Sequence, residues 1–391
     1  MQKNTDKLAS GAYNWDLSVD RHASDSMKWG RYGADVLPLW VADMDFVAPP
    51  AVLAAMQKRL DHGVFGYGLE TDALNTAAIN YMQRRYGWEI EADWLVWLPG
   101  LVSGLNVVCK AVAGGVFTAT PIYPPFMSAP ANEHRTLTTV PLLDTADGWR
   151  WDFAAADKAL AESDSKLWLL CHPHNPVGRA WRDEELAQIA ALARKHDVVV
   201  CSDEIHCDLI LDPAHQHKPF ALLSEDAAQR SITLMAPSKT YNIPGLGAAW
   251  AVIPDASLRQ QFKRAMQGIV PHLNVMGMAA TVAALNGCDA WRAELLDYLR
   301  GNARMVEDWV AATPSLRMHA VEATYLAWID ASELCRERNI TDIQQHFLQH
   351  GVALSPGRDF SPEYSNSVRL NFGCPRDTLR QALDRMSATL S

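Results

Sequence analysis

Leu167-Trp-Leu-Leu-Cys-His-Pro-His-Asn-Pro-Val-Gly178 decides how this chain folds. Its first five residues form a continuous apolar run, the pattern of a strand buried on both faces. The run then stops in a turn-forming stretch with two prolines and a glycine. The pattern repeats downstream. Leu186, Ile189, Ala190, Leu192 and Ala193, with charges between them, predict an amphipathic helix. It leads to Val198-Val-Val-Cys201, which ends at Ser202-Asp-Glu-Ile-His206. Ile232-Thr-Leu-Met235 ends at Ala236-Pro-Ser-Lys239, and Ala248 to Ile253 is a further apolar run. Strand, helix, strand in this order predicts an α/β fold with a mixed, mainly parallel sheet flanked by helices.

Upstream, Pro49-Pro50 opens a helix over 51–60, and a second helix spans 72–86. Between them His62-Gly-Val-Phe-Gly-Tyr-Gly68 has the composition of a loop whose backbone passes close to something. The strand Trp94-Leu-Val-Trp-Leu98 runs into Pro99-Gly-Leu-Val-Ser-Gly104, which opens a helix to about residue 112. Val116-Phe-Thr-Ala119 is a short strand ending at Thr120-Pro-Ile-Tyr-Pro-Pro125. After residue 287 the texture changes to a long charged helix over 291–312 and short mixed elements, among them Thr324-Tyr-Leu-Ala-Trp-Ile329 and Ser367-Val-Arg-Leu-Asn371. We expect a large lobe over 49–287 and a small α+β lobe from 1–48 and 288–391.

The chain has 391 residues, 49% of them hydrophobic, and a net charge of −10, which argues against nucleic-acid partners. Its most apolar segment, Val275 to Leu285, is too short to span a membrane and reads as a buried helix. Met1-Gln-Lys-Asn-Thr-Asp-Lys-Leu8 lacks the apolar stretch of a signal peptide. Seven scattered cysteines fit free, buried thiols in a reducing compartment. These features predict a cytoplasmic protein.

In a parallel sheet the C-terminal strand ends share one edge, where ligands bind. Asn175, Asp203 and Lys239 follow three such strands and should converge there. Desolvation at that edge would lower the lysine pKa, and the neutral amine is the form that attacks a carbonyl. Pyridoxal phosphate needs a lysine for its aldehyde and a carboxylate against its ring nitrogen. It also needs a donor for the ring hydroxyl, an aromatic face, and N–H groups for its phosphate. Gly100 to Gly104, at a helix start, supplies such N–H groups, and Tyr123 could supply the face.

At six places the chain resembles the fold-type I pyridoxal-phosphate enzymes of the class I/II aminotransferase group, and within it the MalY/PatB-type cystathionine β-lyases, or C–S lyases. The places are Leu39-Trp-Val-Ala-Asp-Met-Asp-Phe46, His62-Gly-Val-Phe-Gly-Tyr67, His174-Asn-Pro-Val-Gly178, Ser202-Asp-Glu-Ile-His206, Pro237-Ser-Lys-Thr240 and Arg369-Leu-Asn-Phe372. The resemblance implies that Lys239 bonds the cofactor aldehyde and later moves the Cα proton. It implies that Asp203 pairs with the ring nitrogen, that Asn175 hydrogen-bonds the ring hydroxyl, and that Tyr123 stacks on the ring. Leu101 and Val102 would offer backbone N–H groups to the phosphate, and Ser238 its hydroxyl. His206 stands where many aminotransferases of the group carry tyrosine. Tyr67 would reach the phosphate of a neighbouring subunit, so a homodimer is expected. Arg369 would clamp the substrate carboxylate, with the backbone of Ala42 nearby. The chain departs from aspartate aminotransferases at Ala236 and Gly247, where those enzymes usually carry serine and a phosphate-binding arginine.

Taken singly, each residue has a plainer reading: Asp203 a helix cap, Asn175 a turn, Tyr123 core packing, Arg369 a solvated charge. Cys171, His172, His174, Cys201, His206 and Cys207 are metal-ligand types but form no CxxC or HExxH pattern, so no metal is expected. The implied reaction is β-elimination on L-cystathionine or a related L-cysteine S-conjugate. Two alternatives stand beside it: an aminotransferase on the same cofactor, and a regulatory protein that binds a transcription factor.

Overall fold

The computed structural model describes residues 13–390. The signal-peptide reading of Met1 to Leu8 lies outside the described residues. The centre is a seven-stranded sheet. Its strands are β1 (Leu95–Leu98), β2 (Gly115–Thr120), β3 (Leu137–Pro141), β4 (Ser165–Cys171), β5 (Val199–Asp203), β6 (Ser231–Met235) and β7 (Ala249–Val252). They lie in the order β1-β7-β6-β5-β4-β2-β3. Only β7 runs against its neighbours, so the sheet is mixed and mainly parallel, as expected. Strands β1, β2, β6 and β7 are buried at every residue, which explains why each reads as an apolar run rather than an alternation.

Helices cover both faces. α1 (Pro50–His62) and α2 (Asp72–Tyr86) precede the sheet, and α3 (Leu101–Ala111) leaves β1. Thr71 caps α2 by accepting from Leu74 N–H at 3.2 Å. α4 (Asp183–Lys195) has three acidic residues in its first turn and two basic ones in its last, matching the helix dipole. Gly104 lets α3 approach the sheet: a Cβ there would lie 3.1 Å from Leu98 and 3.2 Å from Leu234. α5 (Val275–Gly287) packs on α1 and α2, and α6 (Asp289–Ala311) is the long charged helix. No helix among the described residues is long and apolar enough to cross a membrane.

A separate three-stranded antiparallel sheet comprises β8 (Leu326–Asp330), β9 (Ser355–Pro356) and β10 (Ser367–Asn371), with β10 in the middle. Both Trp328 and Ser355 sit opposite Arg369. The two-residue strand Leu37–Pro38 pairs with Val352–Ala353, which brings the N-terminal segment onto this part of the chain. Sequence pattern did not disclose edge strand β3, whose residues are mostly part-exposed threonine and leucine, nor the helix Ala256–Met266.

Candidate active site

Parallel pairing gathers the predicted residues. Asp203 ends β5, with Cys171 of β4 and Leu234 of β6 as its register partners. The loops carrying Asn175 and Lys239 therefore leave the same sheet edge.

Lys239 Nζ donates to the Ala42 carbonyl at 2.5 Å. Burial lowers its pKa to about 8, with Asp43 and Asp203 favouring the cation and Arg369 opposing it. Asp203 is buried, and its carboxylate accepts one hydrogen bond, from Ile205 N–H at 3.1 Å. Burial raises it to about 7; Glu204 adds to the rise, while Ile205 N–H and Lys239 oppose it. His206 is buried and held neutral, at about 3, by burial and then by the charges of Lys239 and Arg369. Its Nδ1 has no hydrogen-bond partner.

Arg369 is 5% exposed. It donates to Asn175 Oδ1 at 3.0 Å, to the Trp40 carbonyl at 2.8 Å and to Ser355 Oγ at 3.2 Å. Its guanidinium lies 4.8 Å from the Phe360 ring centre, and its Nε is buried without a partner. Burial lowers its pKa to about 10, against the pull of Tyr123, Tyr325 and Asp359. Tyr123 N–H donates to the Asn175 carbonyl at 3.1 Å. Burial raises the Tyr123 phenol, with Arg369 and Asp203 as charged neighbours. Lys239, Asp203, Asn175, His206, Tyr123, Arg369 and Ala42 thus form one cluster.

No side chain caps the N-terminus of α3 at Gly100. The N–H groups of Leu101 and Val102 have no intrahelical acceptor, an arrangement suited to an anion. Ser238 is part-buried directly before Lys239. Gly247, which stands where aspartate aminotransferases usually carry an arginine, has φ +56°, and a Cβ there would lie 3.2 Å from the Pro99 carbonyl. The backbone itself therefore disfavours a side chain at that position. Tyr67 is not part of the cluster. It is fully exposed on the loop between α1 and α2, beside exposed Val64, Phe65 and Leu69. A cavity of about 800 Å³ elsewhere, lined by Trp149, His319 and Trp328 among others, contains none of the predicted residues.

The sequence placed the Ala42 backbone near Arg369 but did not disclose what holds the segment from Trp40 to Phe46: side chains from distant parts of the chain clamp it. Asn371 donates to the Val41 and Asp43 carbonyls, and Asn242 to those of Met44 and Phe46. Lys28 and Arg21 bind Asp45 at 2.7 and 2.6 Å. Tyr325 donates to the Ala42 carbonyl at 2.9 Å. The paired acids Asp43 and Asp45 inside an apolar run were the available signal; Tyr325 carried none beyond its place in a strand-like stretch.

The buried orphan atoms on His206 and Arg369, the lightly satisfied Asp203 carboxylate and the open helix N-terminus fit a planar, anionic cofactor bonded through Lys239.

The Aminotransferase class I and II family pattern matches residues 34–386. Cystathionine beta-lyase PatB of Bacillus subtilis is 37% identical over 389 residues, covering 97% of this chain and all of that protein. The crystal structure of OvoB superposes with a TM-score of 0.93 at 46% identity, covering 97% of this chain and 99% of that one. The PLP-bound C-S lyase from Staphylococcus hominis superposes at 0.92 with 30% identity and the same coverage. A match of this extent, with the site geometry above, means that the chain belongs to the aminotransferase class I and II family.

Proposed function

We propose that this chain is a pyridoxal-phosphate-dependent carbon–sulfur β-lyase that cleaves L-cystathionine or related L-cysteine S-conjugates to a thiol, pyruvate and ammonia. The observation that carries this is the convergence of Lys239, Asp203 and Asn175 at one sheet edge, with Arg369 of the separate sheet bonded to Asn175, in a chain similar over its length to a protein named cystathionine beta-lyase.

Pyridoxal phosphate, when bound, supplies an aldehyde that bonds an amine and a protonated ring that accepts the electron pair left at Cα. Asp203 would hold the ring-nitrogen proton, Asn175 the ring hydroxyl, and Tyr123 one ring face. Leu101 N–H, Val102 N–H and Ser238 Oγ would hold the phosphate. Arg369 would receive the substrate carboxylate through its free Nε edge, a charge-assisted contact. Lys239, displaced by the substrate amine, would take the Cα proton as a neutral base. The Cβ–S bond then breaks, the thiol leaves, and water completes the release of pyruvate and ammonia.

The site would lie between a large lobe, 49–287, and a small one, 1–48 with 288–391, a division supported by the separate β8-β10-β9 sheet. The exposed Tyr67 loop supports a homodimer in which Tyr67 reaches the partner's phosphate site. Seven free, buried cysteines support a reducing, cytoplasmic setting.

The test is pyruvate release from L-cystathionine with added pyridoxal phosphate and no keto acid. Many turnovers per site would establish a lyase. A stall after one equivalent, relieved by a keto acid, would make the protein a transaminase.

A further inference from the structure

The carboxylate next to Asp203 has no place in the mechanism above. Glu204 is completely buried. Its Oε1 accepts from Ser202 Oγ at 2.8 Å and Phe220 N–H at 2.9 Å, and its Oε2 lies 2.7 Å from His217 Nε2. The His217 side chain is equally buried. The His172 ring covers it at 4.3 Å, and the edge of Tyr86 approaches at 5.5 Å. His172 in turn places its Nε2 3.0 Å from the Lys218 carbonyl and donates its backbone N–H to the Asp203 carbonyl. Beyond Tyr86, Asp208 accepts from Tyr86 OH and Arg85 Nε.

This geometry assigns charges. Burial keeps both histidines neutral, near 3. A neutral His217 facing an oxygen presents an Nε2–H donor, so Glu204 is surrounded by three donors, the environment of an ionised carboxylate. Burial opposes that ionisation and raises Glu204 to about 7. Above about pH 7, therefore, one buried negative charge sits one residue from Asp203, and it adds to the burial that strengthens the hold of Asp203 on a proton.

We propose that Glu204 and His217 form a second buried acid–base couple that sets how firmly Asp203 holds the proton on the cofactor ring nitrogen. Glu204 is then a positioning residue of the elimination. This rests on the pyridoxal-phosphate reading given above. Below the Glu204 pKa the couple is protonated and its push on Asp203 is lost; above it the push is complete.

The experiment uses cofactor-loaded protein and records visible absorbance, kcat and KM against pH. Glu204→Gln keeps the shape and the acceptor for Ser202 and Phe220 but removes the charge. The midpoint of the absorbance titration should fall by about one pH unit, and kcat about tenfold with KM unchanged. His217→Ala deprives the carboxylate of a donor, so Glu204 ionises only at higher pH. That variant should match Glu204→Gln near pH 7 and recover toward wild type in alkali. A Glu204→Gln protein with wild-type midpoint and kcat overturns the proposal. So does a His217→Ala deficit that is constant with pH, which decides the matter if Glu204→Gln does not fold. Wild-type protein that takes up no pyridoxal phosphate overturns the parent reading and this one together.

Discussion

Lys239 and Tyr325 share one acceptor: the Ala42 carbonyl takes a hydrogen bond from the lysine amine at 2.5 Å and from the phenol at 2.9 Å. Tyr325 occupies part of the carbonyl that would otherwise serve the ammonium alone. In cofactor-free protein Lys239 should titrate near 8 rather than at its ordinary 10.5. Burial lowers the value, so the amine is protonated and inert below pH 8 and nucleophilic above it. Acylation of Lys239, followed by mass spectrometry against pH, should reach half its maximal rate near pH 8. Tyr325→Phe should move that midpoint upward, because the carbonyl then stabilises the ammonium better. A wild-type midpoint near 10 would contradict this account of the site.

Arg369 is held in place by Asn175, Trp40, Ser355 and the Phe360 ring, so its position is set before any substrate arrives. Lysine keeps the charge but loses the planar fork and the stacking. Arg369→Lys should raise KM for L-cystathionine roughly 10- to 100-fold, the loss of a charge-assisted pair. Cofactor uptake, read from the visible absorbance, should change little. An unchanged KM would remove Arg369 from carboxylate binding.

The segment that carries the Ala42 carbonyl depends on a buried ion pair. Lys28 is fully buried and its Nζ lies 2.7 Å from Asp45 Oδ2. Burial pushes the Asp45 carboxyl up, but Lys28, Trp29 and Arg21 outweigh it and hold its pKa below the ordinary 3.8. The folded pKa is the lower one, so the pair's contribution is complete above pH 3.8 and is lost as pH falls through the folded value. Asp45→Ala leaves the buried ammonium of Lys28 only the Asp43 carbonyl at 3.1 Å and the Asp43 carboxylate at 3.8 Å, and should cost about 3 kcal/mol at pH 7. The difference from wild type should narrow in acid. Equal denaturation midpoints for the two proteins at pH 7 would mean that water reaches Lys28.

What could be read from sequence follows from how the chain stores information. Strands buried on both faces advertise themselves, and β4, β5 and β6 each end within two residues of the predicted position. Because they are parallel, knowing the strands meant knowing that Asn175, Asp203 and Lys239 share an edge. Tyr325 and Asn371 act on the Trp40 to Phe46 segment through side-chain bonds spanning hundreds of residues, and no local pattern encodes such pairings. Glu204 looked like a neighbour of Asp203 because its partner His217 lies in an irregular loop. Strand β3 was missed because an edge strand with part-exposed residues loses the apolar run that marks its neighbours.

Tyr67 is a predicted site residue that its own chain leaves fully in solvent. A tyrosine there, among exposed Val64, Phe65 and Leu69, gains nothing from isolation, and a second copy in a two-fold dimer would bury it. Such a dimer makes each site a composite of Lys239 from one subunit and Tyr67 from the other. Lys239→Ala should abolish turnover without unfolding the protein, and Tyr67→Ala should weaken cofactor binding. When the two variants are unfolded, mixed equally and refolded, about half the dimers are mixed, and each has one site with both residues intact. Pyruvate release should then return to about a quarter of the wild-type value per site at a cofactor level that leaves Tyr67→Ala alone inactive. Sites built within one chain would show no recovery above the sum of the two variants, and that outcome would return Tyr67 to the surface.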